Sequence, residues 1–300
     1  MEILSPPVLP DSVLSLSPDE ADRLLDRLER EVPVHPPLVE LAADAFEEAI
    51  VFGDTHGDWR STLEVVARFQ EPGRSRALIG LGDYVDRPPE DCGEGSVANA
   101  FFLLDLAARF PGRVFLLQGN HETVRRVPTL PHNLPEEVDQ LWGPEAGRYS
   151  RLMGLLERGP FAVTTTNGAY LAHAGFPPLP SASRWQAAFD RVDDDVLIDL
   201  VWSGCDASRI HRGAVPMFGG NELDRFFHVT GLSVFLRGHD PDLTGRPVYQ
   251  GRCLTLQTTR VYERFGGVIV ARFLAATPLR STKDLAVEHL PTEGRTFATT

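Results

Sequence analysis

The sequence predicts an α/β fold, and three features of its apolar pattern support that prediction. From Glu48 onward, short apolar runs rich in β-prone residues recur between turn residues, as expected of strands. Segments with helical periodicity, such as Ser61–Phe69 and Ala98–Phe110, lie between the early runs. After about residue 160 the runs follow one another without intervening helices, which predicts a second, more antiparallel sheet.

The N-terminal segment predicts a helix that precedes the main domain. Ser17 is followed by a proline and two acidic residues, the order typical of an N-cap and a first helical turn. Leu24, Leu25 and Leu28 then form one apolar face. Residues 18–31 are therefore predicted to form an amphipathic helix that packs on the main domain.

The predicted strands are apolar runs of three to six residues. They are Ala49–Phe52, Ala77–Leu81, Val114–Leu117, Ala169–Ala172, Leu197–Trp202, Ser233–Leu236, Leu254–Leu256 and Val268–Phe273. Three adjacent acidic residues, Asp193, Asp194 and Asp195, lie shortly before the fifth run. They are interpreted as a solvated helix start and not as a cation site.

These elements divide the chain into three parts. Residues 1–40 are the predicted helical extension, residues 41–275 the main domain and residues 276–300 a C-terminal tail. The tail is rich in threonine, proline and charge and has no periodicity. We expect it to be loosely held, with a final strand as the alternative.

Composition and charge argue against several classes of protein. The formal net charge of −13 disfavours binding to nucleic acid or to an anionic membrane. Three cysteines without C-x-x-C spacing disfavour a disulfide framework or a zinc ribbon. The sequence has neither a signal-peptide pattern nor an apolar run of membrane-spanning length. These features predict a cytoplasmic protein and leave its oligomeric state open.

Five of the predicted strands end in the same kind of sequence, an Asp, Asn or His beside a glycine. The segments are G-D-T-H-G-D (53–58), G-D-Y-V-D-R (82–87), G-N-H-E (119–122), H-A-G (173–175) and R-G-H (237–239). Ligands bind beyond the carboxyl ends of strands in open α/β sheets, so we expect these side chains at one edge. Their mixed oxygen and nitrogen atoms suit Mn²⁺, Fe²⁺ or Zn²⁺ better than Ca²⁺, and their number suits two ions that share a carboxylate.

In this order, the five motifs resemble those of the metallo-dependent phosphoprotein phosphatases, the PPP family that includes protein phosphatase one and calcineurin. The resemblance covers roughly residues 40–275. It implies a calcineurin-like metallophosphoesterase fold, in which two mixed sheets form a sandwich flanked by helices. It also implies two divalent metal ions, with Mn²⁺ the first expectation and Fe or Zn the alternatives.

The resemblance implies the ligands of both metals. Asp54 and His56 resemble ligands of the first metal, and Asp83 resembles the carboxylate that bridges the two. The residues that resemble ligands of the second metal are Asn120, His173 and His239.

Further residues resemble the family's catalytic and substrate-binding groups. His121 resembles the general acid, and Asp86 resembles the residue that orients it. The acid would protonate the serine or threonine alkoxide, which is a poor leaving group. Arg87 resembles the arginine that grips the phosphate, and Arg212 takes the place of a second one. Tyr262 falls near a tyrosine of the family's active-site rim.

Some residues depart from the family pattern or lie outside it. Pro88 stands where the family has glycine, and residues 88–96 resemble a short acidic insertion near the substrate face. The histidines outside the motifs are interpreted as surface or packing residues. They are His35, His132, His211, His228 and His289.

The resulting hypothesis is a two-metal phosphomonoesterase that acts on phosphoserine and phosphothreonine in proteins by attack of a metal-bound hydroxide. Its expected partner is a phosphoprotein substrate. One alternative is a symmetrical diadenosine tetraphosphatase, an enzyme class that the segment His173–Pro178 resembles. A second alternative is a non-catalytic phosphate-binding module. Additional activity on phosphotyrosine stays open.

Overall fold

The structure is a computed structural model that describes residues 8–144, 147–179, 184–210 and 213–292. Its α-helices are α1 (Pro10–Val13), α2 (Pro18–Glu31), α3 (Trp59–Phe69), α4 (Gly95–Arg109), α5 (Leu134–Trp142), α6 (Arg148–Leu156), α7 (Asp194–Val201) and α8 (Gly220–Thr230). None of these helices is both long enough and apolar enough to cross a membrane.

Strands of the described residues form two large sheets and a two-stranded one. The strands are β1 (Leu38–Leu41), β2 (Glu48–Phe52), β3 (Arg76–Gly80), β4 (Val114–Leu116), β5 (Ala162–Thr165), β6 (Ala169–Ala172), β7 (Gly204–Cys205), β8 (Met217–Phe218), β9 (Val234–Arg237), β10 (Cys253–Thr255), β11 (Ile269–Leu274) and β12 (Ala286–His289). The first sheet has the order β12-β11-β2-β3-β4 and the second the order β1-β5-β6-β9-β10. Both are mixed, because each combines parallel with antiparallel neighbours, as the resemblance implies.

The two large sheets share an apolar core, and helices cover their outer faces. Ala49 and Val51 of β2 are buried in the same cluster as Leu171 of the second sheet. Ile50 and Phe52 point the opposite way and pack among residues of the helices α2 to α6. This two-residue alternation buries β2 on both faces, which explains its continuous apolar sequence. Helices α7 and α8 cover the outer face of the second sheet.

The predicted N-terminal helix is confirmed, with the same bounds. Helix α2 spans Pro18–Glu31, and the backbone N–H of Ser17 donates to the carboxylate of Glu20 at 2.8 Å in a capping box. Leu25 and Leu28 are fully buried against the helices that cover the first sheet. The helix therefore packs on the main domain through the predicted apolar face.

The predicted strand Leu197–Trp202 is wrong, because these residues belong largely to α7. The carboxylate of Asp193 accepts the N–H of Val196 at 3.2 Å and caps the helix, as the acidic run indicates. Leu197, Leu200 and Val201 are buried, and their spacing is that of one helical face. A short apolar run is compatible with both the helical and the strand repeat, and here the N-cap favours the helix.

The expectation that the second sheet is the more antiparallel one is also wrong. Only β5 and β6 are antiparallel there, whereas β1–β5, β6–β9 and β9–β10 are parallel pairs. The connection from β6 to β9 contains α7 and α8, and such a helical crossover returns the chain in the same direction. Neither helix was recognised as a crossover in the sequence.

Residues after 275 are held more firmly than the sequence indicates. Strand β12 pairs antiparallel with β11, and Leu285 and Leu290 on either side of it are buried. The alternative expectation of a final strand is therefore correct for the described part of this segment, which ends at residue 292.

Candidate metal centre

The predicted metal ligands lie together where strands of both large sheets end. Asp54, Asp83 and Asn120 follow the parallel strands β2, β3 and β4, and His173 and His239 follow the parallel strands β6 and β9. Every predicted ligand is at most 5% exposed. The expectation that the strand ends converge on one edge is confirmed, and the edge is formed by both sheets.

Three of these side chains direct polar atoms at one another. His173 Nε2 lies 3.0 Å from Asn120 Oδ1 and 3.2 Å from His239 Nδ1. His173 Nδ1 lies 2.9 Å from the carbonyl oxygen of Leu81, which can only accept, so Nδ1 carries the hydrogen. In the neutral ring Nε2 then presents a lone pair, and Asp83 Oδ2 is a further 3.4 Å from it. A bound divalent cation would satisfy such a set of facing polar atoms.

A second group of predicted ligands meets the first at Asp83 Oδ2. His56 Nε2 is 3.8 Å from Asp83 Oδ2, and His56 Nδ1 is held by the carbonyl oxygen of Val85 at 3.0 Å. A backbone carbonyl on the outer nitrogen is the usual way in which a metal-binding histidine is oriented. Burial lowers the pKa of His56 to about 3, so its ring is neutral and available to a metal.

Asp54 lines the same cavity as His56 and Asp83. Its carboxylate accepts the N–H of His239 at 3.1 Å and the side-chain amide of Gln257 at 2.8 Å. Burial raises the pKa of Asp54 to about 6, and the nearby carboxylate of Asp83 adds to this shift. The donor set of carboxylates, imidazoles and one amide therefore fits two divalent ions that share Asp83.

The loops that carry these side chains adopt unusual backbone conformations. A positive φ is rare for a residue with a Cβ, and it costs energy that the surrounding structure must supply. The motif residues that carry a Cβ and have a positive φ are His56 (44°), Asp83 (55°), Asp86 (66°), Arg87 (56°) and His239 (71°).

Glu122, to which the sequence analysis assigned no role, holds two of these loops. Its buried carboxylate accepts the backbone N–H groups of Asp83, Tyr84 and Gly119 at 2.7, 2.9 and 2.9 Å. Burial raises the pKa of Glu122 to about 7. The sequence signal was present, because Glu122 is the last letter of the third motif.

The predicted general acid and its predicted orienting residue are in contact. His121 Nδ1 lies 2.5 Å from Asp86 Oδ2, and both side chains are buried. Burial by itself would lower the pKa of His121, but the carboxylates of Asp83 and Asp86 raise it above its usual value. His121 Nε2 is buried and has no hydrogen-bond partner among the described residues. It is therefore available to a bound ligand.

His132 is more than the surface or packing residue that the sequence analysis made it. Its Nδ1 lies 2.9 Å from Asp86 Oδ2, and its Nε2 lies 2.9 Å from the hydroxyl of Tyr149. His132 lies outside every motif, and 46 residues separate it from Asp86 in the chain. No local pattern could have indicated this contact.

A cavity of about 400 Å³ opens in front of the ligands. At its mouth, Arg87 Nη1 lies 3.2 Å from the Tyr262 hydroxyl and 3.4 Å from His56 Nε2. The ring of Tyr262 stands edge-on to that of His56, with centroids 5.6 Å apart. Arg264, which the sequence analysis missed, also lines the cavity. Arg212 lies outside the described residues.

The 88–96 segment packs against the turn Arg260–Phe265, which carries Tyr262 at the rim of the cavity. Arg260 binds Asp58 at 2.9 Å and Asp91 at 2.8 Å, and Cys92 is buried beneath this pair. Asp58 is the last residue of the first motif, and Arg260 begins the turn that contains Tyr262. The ion pairs therefore join the loop of the first motif to the turn that carries Tyr262.

The described geometry agrees with what comparison of the sequence with known proteins finds. The model of the calcineurin-like phosphoesterases matches residues 49–243. The chain is 30% identical, over 82% of its length, to the serine/threonine-protein phosphatase PP2A-like PPG1 of Candida albicans, of which it spans 59%. It is 26% identical, over 71% of its length, to the serine/threonine-protein phosphatase 4 catalytic subunit of Kluyveromyces lactis, of which it spans 69%.

Comparison of structures finds the same fold. A protein serine/threonine phosphatase from Saccharomyces cerevisiae, described as similar to human phosphatase PP5, superposes with a TM-score of 0.74 at 21% identity. The match covers 94% of this chain and 92% of that one. The two mixed sheets flanked by helices are thus the fold of these phosphatases.

Proposed function

The chain belongs to the calcineurin-like phosphoesterase family, and on that premise we propose that it hydrolyses phosphoserine and phosphothreonine residues in proteins. The proposal depends on one observation above all. A buried His121–Asp86 pair, able to supply a proton, lies next to Asn120 in a cluster of side chains that fits two cations. The names of its relatives in Candida albicans and Kluyveromyces lactis, both serine/threonine-protein phosphatases, support the choice of substrate.

We propose two divalent metal ions, with Mn²⁺ as the first choice. Asp54, His56 and Asp83 would hold one ion, and the other would be held by Asp83 together with Asn120, His173 and His239. When bound, the ions would withdraw charge from the phosphoryl oxygens and lower the pKa of a water towards neutrality.

The chain's own residues bind the phosphate and supply the proton. Arg87, which forms no ion pair with a carboxylate in the described part of the chain, is oriented at the cavity mouth to bind phosphoryl oxygens through its guanidinium. When the P–O bond breaks, its electron pair stays on the serine or threonine oxygen. His121, whose Nδ1 is held by Asp86, donates the proton to that oxygen from Nε2.

The two alternatives are less well supported. The resemblance to diadenosine tetraphosphatases involves Phe176, which stacks on Phe226 with centroids 4.6 Å apart, in the apolar layer outside the second sheet. The side chain thus contributes to packing there. A non-catalytic module would have no use for the buried His121–Asp86 pair beside the ligands.

The test compares kcat/KM for a phosphothreonine peptide and for diadenosine tetraphosphate, with Mn²⁺ added and at equal enzyme concentration. We expect a clear preference for the peptide. A preference for the dinucleotide would leave the proposed metal ligands unchanged and would replace the proposed substrate class. Stoichiometric metal without hydrolysis of either compound would support the binding module instead.

We further propose that the protein acts in the cytoplasm on a phosphoprotein partner, without nucleic acid or membrane. Cys92, Cys205 and Cys253 are buried free thiols, which is typical of reducing compartments. The net charge of −13 disfavours polyanionic partners. Fractionation of the native cells with an antibody against the chain tests the location.

A further inference from the structure

We propose that His132 is a positioning residue of this reaction, which holds Asp86, and through it His121, in the orientation needed for proton transfer. The proposal rests on the proposed function of His121 as a general acid. It assigns to Tyr149, His132, Asp86 and His121 one continuous chain of hydrogen bonds.

The carboxylate of Asp86 is held at all of its acceptor positions. Oδ1 accepts the backbone N–H groups of Asn133 and Leu134 at 2.6 and 2.9 Å, where α5 begins. Oδ2 is contacted by Nδ1 of both His121 and His132, at 2.5 and 2.9 Å. A carboxylate has about four acceptor sites, so these four contacts leave it no freedom to rotate.

The segment 132–134 supplies three of these four contacts. His132 contributes its side chain, and the next two residues contribute their backbone N–H groups. Asp86 is fully buried, so a lost contact could not be replaced by water at no cost. The segment therefore holds both carboxylate oxygens of Asp86.

The direction of each hydrogen bond follows from chemistry. The ionised carboxylate of Asp86 can only accept, so Nδ1 of His132 must carry a hydrogen. In the ring form with a single hydrogen, Nε2 then accepts, and the hydroxyl of Tyr149 donates to it. Tyr149 belongs to α6, which packs against α2, so the end of the hydrogen-bond chain is anchored in the helical layer.

Loss of His132 would leave Oδ2 of Asp86 with His121 as its one hydrogen-bond contact among the described residues, while Oδ1 would keep its two N–H donors. Oδ2 could then shift while Oδ1 stays anchored, and His121 would shift with it. Only reactions that need a proton from His121 would suffer. An ester whose leaving group is stable as an anion does not need that proton.

The experiment uses the full chain with Mn²⁺ and two substrates, a phosphoserine peptide and 4-nitrophenyl phosphate. We expect His132→Leu to lower kcat for the peptide about ten-fold or more, with KM little changed. For the aryl ester we expect a loss below about three-fold, because its phenolate leaves without a proton. The variant should keep its full metal content.

Three further variants separate positioning from simple packing. His132→Asn keeps an N–H donor near the position of Nδ1 and should restore most of the activity on the peptide. Tyr149→Phe removes only the last hydrogen bond and should cause a small loss confined to the peptide, which tests the proposal even if His132→Leu does not fold. His228→Leu, at an exposed histidine of α8, is the matched control and should behave as the wild type.

Equal losses on both substrates, or full activity of His132→Leu on the peptide, would overturn the positioning function. If the wild type hydrolyses neither ester, the proposed function itself fails. The hydrogen-bond chain is then tested separately by long-range ¹H–¹⁵N NMR of histidine-labelled protein. We expect a hydrogen on Nδ1 of His132, and a ring whose single hydrogen lies on Nε2 would contradict the chain.

Discussion

At the scale of single residues, the proposed chemistry depends on buried histidine side chains that the protein holds through one ring nitrogen. His121 is held at Nδ1 by Asp86, while its Nε2 has no hydrogen-bond partner in the described part of the chain. The predicted ligands show the same pattern, since His56 and His173 are each held at Nδ1 by a backbone carbonyl. In each ring the fold holds Nδ1, and Nε2 faces the cluster of predicted ligands.

We expect His121→Ala to lower kcat on a phosphoserine peptide by about 10² to 10⁴, the usual contribution of a general acid. Metal content should stay near that of the wild type, because the resemblance assigns no ligand to His121. Kinetics and elemental analysis of the same preparation check both points. Equal losses of metal and activity would mean that His121 is itself a ligand or a structural residue.

We expect Asp83→Asn to release metal and abolish activity, since it removes the one carboxylate that lies between both groups of acceptor atoms. The fold should survive, because the amide oxygen of asparagine can still accept the N–H of His121, which Asp83 Oδ1 now accepts at 3.1 Å. Elemental analysis and circular dichroism provide the measurement. A metal-loaded, active variant would contradict the two-metal proposal.

At the scale of elements, helix ends hold the carboxylates that surround the proposed catalytic pair. Asp86 accepts two N–H groups at the start of α5, and Glu137 of α5 accepts N–H groups at the start of α4. Ser96 connects the two, because its hydroxyl binds Glu137 and accepts the N–H of Asp86. Helix starts stabilise negative charge through their free N–H groups and their dipole.

Glu137 gives a testable pH dependence of stability. Burial raises its pKa to about 7 from 4.5, so between these values the folded state binds a proton that the unfolded state has lost. This group therefore contributes stability below pH 4.5 that is lost as the pH rises towards 7.

Glu137→Gln, which cannot ionise, should remove that loss. Relative to the wild type, the free energy of unfolding of the variant should rise progressively from pH 4.5 to pH 7. Urea denaturation of both metal-free proteins across this range measures the difference. Parallel pH profiles for the two proteins would show that Glu137 ionises in the folded state as it does in the unfolded one.

At the scale of the whole molecule, the two sheets meet at a site that neither could form alone. The first sheet carries Asp54, Asp83 and Asn120 and the second carries His173 and His239. The link between the sheets is direct. Thr258 follows β10 of the second sheet, and its N–H donates to the backbone oxygen of Asp54, after β2 of the first sheet, at 2.9 Å. Metal binding should therefore stabilise the packing of one sheet against the other.

We expect removal of metal by a chelator to lower the Tm, because cations that bind only the folded state stabilise it by mass action. Addition of Mn²⁺ should restore the Tm in a concentration-dependent way. Differential scanning calorimetry measures both changes. The Asp83→Asn variant is the control, and its Tm should respond much less to added Mn²⁺.

The sequence by itself determined much of this protein. The N-terminal helix, most strands of both sheets and the five glycine-flanked motifs were recognisable, because caps, periodicity and strand ends are local patterns. The tertiary structure alone decided that Leu197–Val201 is helical, that most pairs of the second sheet are parallel, and that His132 binds Asp86. These features depend on partners that are distant in the chain, and the direction of a crossover or the target of a buried histidine becomes defined only when the sheets pack.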